Sequence, residues 1–302
     1  VGSEMCIRDR YTYQLKSRQL NHFDSKQTGL PHNTIYFIIH TKDNQIYIGT
    51  YNGLCRYVQA SGKFENILLP VNRGGSNLFV NSLLEDTTRQ CIWIGMEGYL
   101  FQYNPTIGEM KAIEVFHNNS IKSLALDGDE NLLAGTDNGL YVYQNDKEPL
   151  QHIIHDSRNI QSLTNNIIWN IFSDQEHNIW LGTDYGISLS RYNSALQFVP
   201  ISQITGTGDG NQFYSLFRDS KGFYWFGGTN GVIRFTHPAG NKHDAIWYRM
   251  GDKNHPLSHN RIRHIYEDRE QQLWIATDGS INRYDYNTHQ FVHYNIVDST
   301  GT

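Results

Sequence analysis

The stretch IYIGTYNGLCRY, residues 46–57, decides the fold because similar stretches follow five more times along the chain. Each has an apolar run, in most copies a glycine, a short turn rich in Asn, Asp or Gly, and a second run that ends in an aromatic residue. The other copies are IWIGMEGYLFQY (92–103), LLAGTDNGLYVY (132–143), IWLGTDYGISLSRY (179–192), YWFGGTNGVIRF (224–235) and LWIATDGSINRY (273–284). Turns such as YNG, DNG and TNG tolerate positive φ, so each copy predicts a β-hairpin.

The spacing of these hairpins matches one blade of a propeller. The glycine after the apolar pair falls at Gly49, Gly95, Gly135, Gly182 and Gly227, and Ala276 replaces it in the last copy. A period of about 45 residues is too long for leucine-rich or ankyrin repeats. HEAT and armadillo repeats have a similar period but are helical, and the pattern here is typical of strands.

Two further strands complete each unit. An apolar and aromatic run precedes the hairpin, as in NTIYFIIHT (33–41), NNIIWNIFSD (165–174) and NRIRHIYEDR (260–269), and a weaker strand follows it, as in KFENIL (63–68). Four antiparallel strands per period, with no helical stretch, predict an all-β fold, a β-propeller with four-stranded blades. A β-solenoid is the alternative, and it is less favoured because its coils are much shorter.

The repeat divides the chain into six complete blades and a remnant. We predict blades at residues 33–76, 77–118, 119–164, 165–209, 210–258 and 259–302, and a remnant of a preceding blade with its connecting loop at 10–32. Residues 1–9 do not fit the repeat, resemble translated adapter sequence and are treated as a non-native leader. Because an open ring exposes strand edges, we expect a fragment of a seven-bladed or double propeller.

Composition excludes several classes of function. The net charge is −5, no run of Lys or Arg occurs, and the three cysteines lie far apart, so neither nucleic acid nor a zinc or redox site is expected. Asp127, Asp129 and Asn131 have the spacing that opens an EF-hand, but Leu132 and Asn138 replace its Gly and Glu. A hairpin turn is the better reading, and we predict no metal and no cofactor.

The repeats resemble those of the two-component regulator propeller family. The shared features are the Ile-Trp-Ile-Gly-Thr type of strand and the leading motif Leu-x-x-Asn-x-Ile, present as LPHNTI (30–35), LTNNII (163–168) and LSHNRI (257–262). Blades 2 and 3 depart most and lack the leading motif. The resemblance implies a periplasmic sensor, part of an inner-membrane hybrid two-component histidine kinase. Adjacent propeller and signalling domains of a longer chain would be its partners, with a homodimer as a further option.

Candidate binding residues are those that break the repeat on loops at one end of the blades, because loops on a rigid scaffold carry most binding sites. Tyr with Asp or Asn suits sugar hydroxyls through stacking and hydrogen bonds. The candidates in the loops before the first strands are His32, Asn165 and His259, and those in the hairpin turns are Tyr51, Glu97, Asp137, Asp184, Tyr185, Asn230 and Asp278. For any single residue, a turn that only caps a hairpin is the competing interpretation.

Three functions stay open at this point. The first is a non-catalytic sensor that binds an oligosaccharide or another small ligand. It is favoured because the sequence contains no recognised catalytic motif. The second is a propeller lyase or glycosidase, and the third is a scaffold for protein interactions. The recurring Trp93, Trp180, Trp225 and Trp274 are interpreted as packing between blades, since a periodic aromatic residue is more typical of architecture than of a sugar platform.

Overall fold

The structure is a computed structural model that describes residues 10–14, 19–71, 78–113, 119–144, 151–192, 198–200, 211–236, 244–254 and 256–294. The predicted leader at residues 1–9 lies outside these ranges. Within them, the architecture is a β-propeller of six four-stranded antiparallel blades preceded by a two-stranded hairpin, which confirms the predicted fold class.

In each blade the strands are ordered in the sheet as they are in the chain. The hairpin is β1 (Arg10–Gln14) and β2 (Gln19–Phe23). Blade 1 is β3 (Ile35–His40), β4 (Ile46–Thr50), β5 (Gly53–Val58) and β6 (Lys63–Ile67), and blade 2 is β7 (Val80–Asp86), β8 (Cys91–Met96), β9 (Leu100–Asn104) and β10 (Glu109–Ile113). Blade 3 is β11 (Ile121–Leu126), β12 (Leu132–Thr136), β13 (Gly139–Tyr143) and β14 (Gln151–Ile153).

The later blades repeat the same arrangement. Blade 4 is β15 (Ile168–Ser173), β16 (Ile179–Thr183), β17 (Gly186–Ser190) and β18 (Phe198–Pro200), and blade 5 is β19 (Phe213–Arg218), β20 (Tyr224–Gly228), β21 (Gly231–Phe235) and β22 (Ile246–Tyr248). Blade 6 is β23 (Ile262–Glu267), β24 (Leu273–Thr277), β25 (Ile281–Asp285) and β26 (Gln290–Tyr294). The chain divides into two compact units, 1–124 and 125–302, with the division inside β11.

A short helix corrects the expectation that the chain has no helical stretch. Helix α1 spans Ser25–Thr28, between the hairpin and blade 1. The Asp24 side chain caps its first turn by accepting the Lys26 N–H, and Gly29 ends it at φ 81°. An N-cap acid and a left-handed glycine are the local signals of a helix. Here they lie in a segment between strands that the repeated motif does not include.

Consecutive blades within a unit share their apolar cores. In unit 1 the core joins Tyr47 and Leu54 of blade 1 to Val80, Leu83 and other residues of blade 2. In unit 2 three such cores join blade 3 to 4, 4 to 5 and 5 to 6. A four-stranded sheet cannot bury both of its faces alone, so stacking on its neighbours supplies most of the hydrophobic stabilisation.

The recurring glycine lets the next blade approach closely. A Cβ on Gly182 would lie 2.6 Å from the backbone oxygen of Phe213, the first residue of the following blade. At Gly227 a Cβ would lie 2.4 Å from Ile262, again the first residue of the next blade. Both distances are below van der Waals contact, so glycine is required by packing rather than by backbone conformation.

A buried aspartate closes the turn between the first two strands in several blades. Asp174 accepts the backbone N–H groups of Glu176 and Asn178 on Oδ1, and the Trp180 indole Nε1 on Oδ2 at 2.8 Å. The same indole-to-carboxylate bond recurs in the pairs Trp93–Asp86, Trp225–Asp219 and Trp274–Asp268. Trp93, Trp180 and Trp225 are at most 1% exposed, as expected for packing residues.

Hydroxyl groups of the next blade reach the same carboxylates. The Tyr224 hydroxyl donates to Asp174 Oδ2 at 3.0 Å, and the Tyr286 hydroxyl donates to Asp219 Oδ2 at 2.7 Å. Burial, followed by the nearby Asp174 charge, raises the pKa of Tyr224, so its hydroxyl keeps its proton and stays a donor. These aspartates therefore join the turn, the tryptophan and the following blade.

Asp86 makes the fold sensitive to acid. Burial alone would raise the pKa of this carboxyl, but hydrogen bonds from the Trp93 indole and from the backbone and guanidinium of Arg89 hold it below its ordinary value of 3.8. The folded state thus gives up the proton more readily, so this carboxylate stabilises the fold above the unfolded-state pKa and loses that effect as the pH falls through the folded-state pKa.

We therefore expect the free energy of unfolding, measured by urea titration, to decrease from about pH 5 to about pH 3. The decrease should be shallower in Asp86→Asn, which cannot take up this proton. The same pH slope in both proteins would contradict this assignment.

Candidate functional site

Two kinds of loop meet at one end of the blades. The first kind, here called the leading loop, precedes the first strand of a blade, and the second is the turn between the second and third strands. In four blades the third strand begins with a glycine, and in blade 2 a glycine lies in the turn before that strand. The N–H of this glycine donates to a leading-loop carbonyl of the following blade. These bonds are Gly53–Leu78, Gly98–Asn119, Gly139–Asn166, Gly186–Asn211 and Gly231–Asn260. We call this end of each unit its loop end.

In five blades a β-bulge directs one side chain toward the loop end. The pairing of the first and second strands skips one residue in five blades, where the register shifts between the residues on either side. Bulges re-aim a side chain and often lie beside functional sites. The skipped residues are Tyr36, Asn81, Trp169, Tyr214 and Arg263.

The bulge residue contacts the turn of its own blade in three cases. The Trp169 indole Nε1 donates to Asp184 Oδ1 at 3.0 Å. The guanidinium of Arg263 donates to both oxygens of Asp278, at 2.5 and 3.3 Å. In blade 1 the rings of Tyr36 and Tyr51 lie 6.4 Å apart. Each pair is separated by 15 residues in sequence, so one local geometry produces an aromatic, a polar and an ionic pair.

The loop end of unit 1 carries a cluster of four half-buried rings. The His32 and Tyr51 ring centroids are 4.8 Å apart, and Phe79 meets Tyr51 edge to face at 4.5 Å. Tyr36 lies 6.2 Å from Phe79. Burial, and then the neighbouring Tyr51, raises the pKa of the Tyr36 hydroxyl, which therefore remains a hydrogen-bond donor at neutral pH.

The loop end of unit 2 combines aromatic rings with charged groups. Tyr214 meets Trp169 edge to face at 5.3 Å, and the Arg261 guanidinium lies 5.7 Å from the Tyr214 ring centroid. Gln212 connects Asp184 to Tyr214, because its Nε2 donates to Asp184 Oδ1 at 2.5 Å and its Oε1 accepts the Tyr214 hydroxyl. This arrangement offers ring faces, a carboxylate and a guanidinium within one connected cluster.

The structure places the predicted leading-loop residues in turns. The Nδ1 atoms of His32 and His259 accept the backbone N–H of the residue two positions on, Thr34 and Arg261. Asn165 Oδ1 accepts the Ile167 N–H in the same way. These side chains therefore stabilise their own loops, and His32 in addition belongs to the ring cluster of unit 1.

The predicted turn residues differ in their surroundings. Asp184 and Asp278 are bonded to the bulge residues of their own blades, and Tyr51 lies in the unit 1 cluster. Tyr185 is 55% exposed beside Asp184. Glu97 pairs with Ser120 through a backbone bridge, and the Asn230 carbonyl accepts the Arg249 side chain. Glu97, Asp137 and Asn230 are exposed.

Sequence reasoning missed the bulge residues and Gln212. A signal was available, since the bulge residue follows directly after the Asn-x-Ile or Asn-x-Phe segment of the leading loop, as in Asn166–Trp169 and Asn211–Tyr214. Its identity changes from blade to blade, whereas the segment before it is repeated. A variable residue after a repeated motif is a reasonable marker of a binding position on a repeat scaffold.

The EF-hand-like turn of blade 3 is a hairpin turn. Asp127 Oδ1 accepts the N–H groups of Asp129 and Asn131, and Asn131 donates its amide to Asp127 Oδ2. Over the described ranges, no group of three His, Cys, Asp or Glu side chains could hold a metal ion. In the same part of the chain, no helix is long and apolar enough to cross a bilayer.

Comparisons with known proteins agree with the repeat pattern. The family model described as two component regulator propeller matches residues 29–52, 162–185, 207–230 and 256–279. Each match runs from a leading loop through the bulge to the turn after the second strand. No curated protein matches the chain.

Solved structures from B. thetaiotaomicron are similar in sequence as well as in fold. The extracellular domain of a protein described as a hybrid two component system is 81% identical over 98% of this chain, with a TM-score of 0.61. A second structure, whose protein is described as a one component system, is 80% identical over 97% of this chain, with the same TM-score. The chain spans 40% of the length of each.

Two more distant structures share only the fold. Streptogramin B lyase is 14% identical over 88% of this chain and 84% of its own, with a TM-score of 0.67. PorZ, a surface component of the type-IX secretion system of Porphyromonas gingivalis, is 13% identical over 93% of this chain and 43% of its own, with a TM-score of 0.73. The six in-phase blades, the four matched repeats and the extracellular relative lead to one assignment: the chain belongs to the two-component regulator propeller family.

Proposed function

We propose that this chain is a non-catalytic, ligand-sensing propeller from the extracytoplasmic part of a hybrid two-component histidine kinase, and that its ligand is an oligosaccharide. The observation that carries the sensor assignment is the 81% identity to an extracellular domain of a hybrid two component system. A periplasmic location within an inner-membrane protein follows from that assignment. Its partners would be the adjacent propeller and signalling domains of the longer chain and, in a dimer, a second copy.

Three features of the loop ends support an oligosaccharide ligand. Half-buried rings such as Trp169 and Tyr36 offer apolar surface for a pyranose. Asp184 and Arg261 supply an acceptor and donors for hydroxyl groups. Both ring clusters lie on loops fixed by hydrogen bonds to the next blade, so a bound sugar would meet a preorganised surface.

The hydrogen-bond partners of the loop-end carboxylates support binding rather than cleavage. Glycosidases need one carboxylic acid that holds a proton and one ionised partner. Asp184 accepts two N–H donors, and Asp278 forms an ion pair with Arg263. Both carboxylates are thus engaged with donors of the protein itself, an arrangement typical of structural and binding groups rather than of a catalytic pair.

A binding and turnover assay on the complete extracellular part tests this proposal. We expect at least one class of oligosaccharide on a glycan array to bind saturably, and mass spectrometry to recover that sugar uncut. Cleavage of the bound sugar would contradict the non-catalytic assignment and show that the protein is an enzyme. A folded protein that binds no oligosaccharide would overturn the sugar part of the proposal.

A further inference from the structure

We infer that the loop end of unit 2 carries a subsite for a neutral pyranose ring, formed by Trp169, Tyr185 and Tyr214 as the aromatic wall and by Asp184 and Arg261 as the polar contacts. This inference rests on the proposed function, because it specifies where and what kind of sugar would bind. It requires no covalent step.

The aromatic side of the subsite is accessible and fixed. Trp169 and Tyr214 are half-buried and lie edge to face with ring centroids 5.3 Å apart, so each holds the other in orientation. Tyr185 extends the apolar surface at the adjacent turn and is 55% exposed. Rings that are held by packing lose little conformational entropy when a ligand stacks on them.

Asp184 has one oxygen available for a hydroxyl group. Both donors in its neighbourhood, Trp169 Nε1 and Gln212 Nε2, bond to Oδ1, at 3.0 and 2.5 Å. Among the described residues, none donates a hydrogen bond to Oδ2 of this half-buried carboxylate. An ionised carboxylate is a strong acceptor, so Oδ2 is placed to accept a sugar hydroxyl.

Arg261 provides hydrogen-bond donors beside Tyr214. Its side chain is exposed, and its guanidinium lies 5.7 Å from the Tyr214 ring centroid. The backbone of Arg261 is fixed, since its N–H donates to His259 Nδ1 and its carbonyl accepts the Asp278 N–H. A planar guanidinium can donate two parallel bonds to neighbouring hydroxyls on one sugar ring.

The charge of this cluster favours a neutral sugar. Arg263 and Asp278 form an ion pair and cancel each other. The two remaining charges, the Asp184 carboxylate and the Arg261 guanidinium, have opposite signs. A cluster without net charge gives no electrostatic advantage to a uronate or a sulfated sugar, and Asp184 would repel the anion locally.

Blade 5 departs from the repeat where it builds this cluster. In four other blades a threonine hydroxyl at the end of the second strand donates to a backbone carbonyl across the turn, at Thr50, Thr136, Thr183 and Thr277. Gly228 stands at this position in blade 5, and a Cβ there would lie 1.9 Å from the Gln212 carbonyl oxygen. The missing side chain therefore lets the leading loop pass closely over the turn.

That approach positions the groups which organise the subsite. The Thr229 hydroxyl donates to Asn211 Oδ1 at 2.5 Å, and Asn211 is only 5% exposed. Its neighbour Gln212 then reaches both Asp184 and Tyr214. This departure from the repeat builds a polar network in addition to a turn. Such a network fixes the side chains of a site before a ligand binds.

Titration calorimetry on the complete extracellular part tests the subsite. The probes are gluco-, galacto-, manno- and xylo-oligosaccharides of about four to six units, and an oligogalacturonate as the acidic counterpart. We expect a neutral probe to bind, and Trp169→Ala and Tyr214→Ala each to weaken its affinity about tenfold or more. Asp184→Asn keeps an acceptor for the Trp169 indole and should weaken binding less than either alanine variant does.

Tyr192→Ala is the matched control. Tyr192 is an exposed aromatic residue of unit 2 that follows β17, at the end of the blade opposite Asp184 and Tyr185. Its substitution should leave the affinity unchanged, and circular dichroism would establish that each variant folds.

The outcomes separate the subsite from the function on which it rests. A wild-type protein that binds none of the probes overturns the proposed function together with the subsite. A wild-type protein that binds a neutral probe, with unchanged affinity in the folded Trp169, Tyr214 and Asp184 variants, overturns the subsite alone. Preference for the oligogalacturonate over every neutral probe overturns the inferred sugar chemistry.

Discussion

Replacing Asp174 with Ala is expected to lower the free energy of unfolding by about 2–5 kcal/mol, because it leaves several buried donors without an acceptor. The Trp180 indole and the Tyr224 hydroxyl both donate to Asp174 Oδ2, and both residues are at most 1% exposed. Water cannot replace the carboxylate there without opening the contact between blades 4 and 5. Urea titration followed by circular dichroism measures the loss.

Asp127→Ala is the matched control for this substitution. Asp127 occupies the same turn position in blade 3, but Leu133 stands where blades 2, 4, 5 and 6 carry tryptophan. Among the described residues, its carboxylate accepts only from the turn itself, namely the Asp129 and Asn131 backbone and the Asn131 amide. The loss should be about 1 kcal/mol, as for an ordinary capping residue. Equal losses in the two variants would show that the indole and hydroxyl bonds contribute nothing beyond the turn.

Gly182→Ala is expected to destabilise the fold by about 1–3 kcal/mol through overpacking between blades 4 and 5. The new Cβ would lie 2.6 Å from the Phe213 carbonyl oxygen and 3.2 Å from the Phe213 Cβ. The oxygen is a backbone atom at the start of β19, so relief requires the first strand of the next blade to move. Thermal and urea unfolding of the variant measure the effect.

Ala276→Gly is the reverse change at the equivalent position of blade 6. Since Ala276 already carries a Cβ, removing it relieves no clash, and glycine in a strand costs about 0.5–1 kcal/mol. We therefore expect a clearly larger loss in Gly182→Ala than in Ala276→Gly. A Gly182→Ala protein as stable as the wild type would mean that the recurring glycine is not a packing requirement.

The strands were predictable because their signals are local. The alternation of apolar residues, the Asn-Gly and Asp-Gly turns and the repeated glycine lie within about 45 residues and recur in phase. The exceptions are also local. Strand β14 is only three residues long and polar, QHI at Gln151–Ile153, so its sequence carries no alternation to detect. Helix α1 is a single turn whose cap signals fall outside the repeat.

The candidate site was less predictable because it depends on register. A bulge shifts every following side chain by one position, and neither hydrophobic pattern nor turn chemistry specifies that Trp169 or Tyr214 is the skipped residue. Turn residues such as Asp184 could be predicted, since non-periodic residues on loops stand out. Their partners 15 residues earlier could not, because the pairing exists only in the folded sheet.

The buried aspartates belong to a third kind of feature. Their spacing to tryptophan, six residues in Asp174–Trp180 and Asp219–Trp225 and seven in Asp86–Trp93, is visible in the sequence. Read alone, it indicates a turn followed by a strand. The contribution of Tyr224 and Tyr286 from the next blade becomes apparent only when the blades are stacked.

Hydrogen–deuterium exchange with and without a neutral oligosaccharide tests the central claim, that this propeller senses a sugar through the loops of unit 2. We expect the sugar to protect the backbone around Trp169, Asp184, Tyr214 and Arg261, and to leave the turns at Asp127, Asp174 and Asp219 unchanged. Protection confined to those opposite turns, or no protection anywhere at saturating sugar, would contradict it.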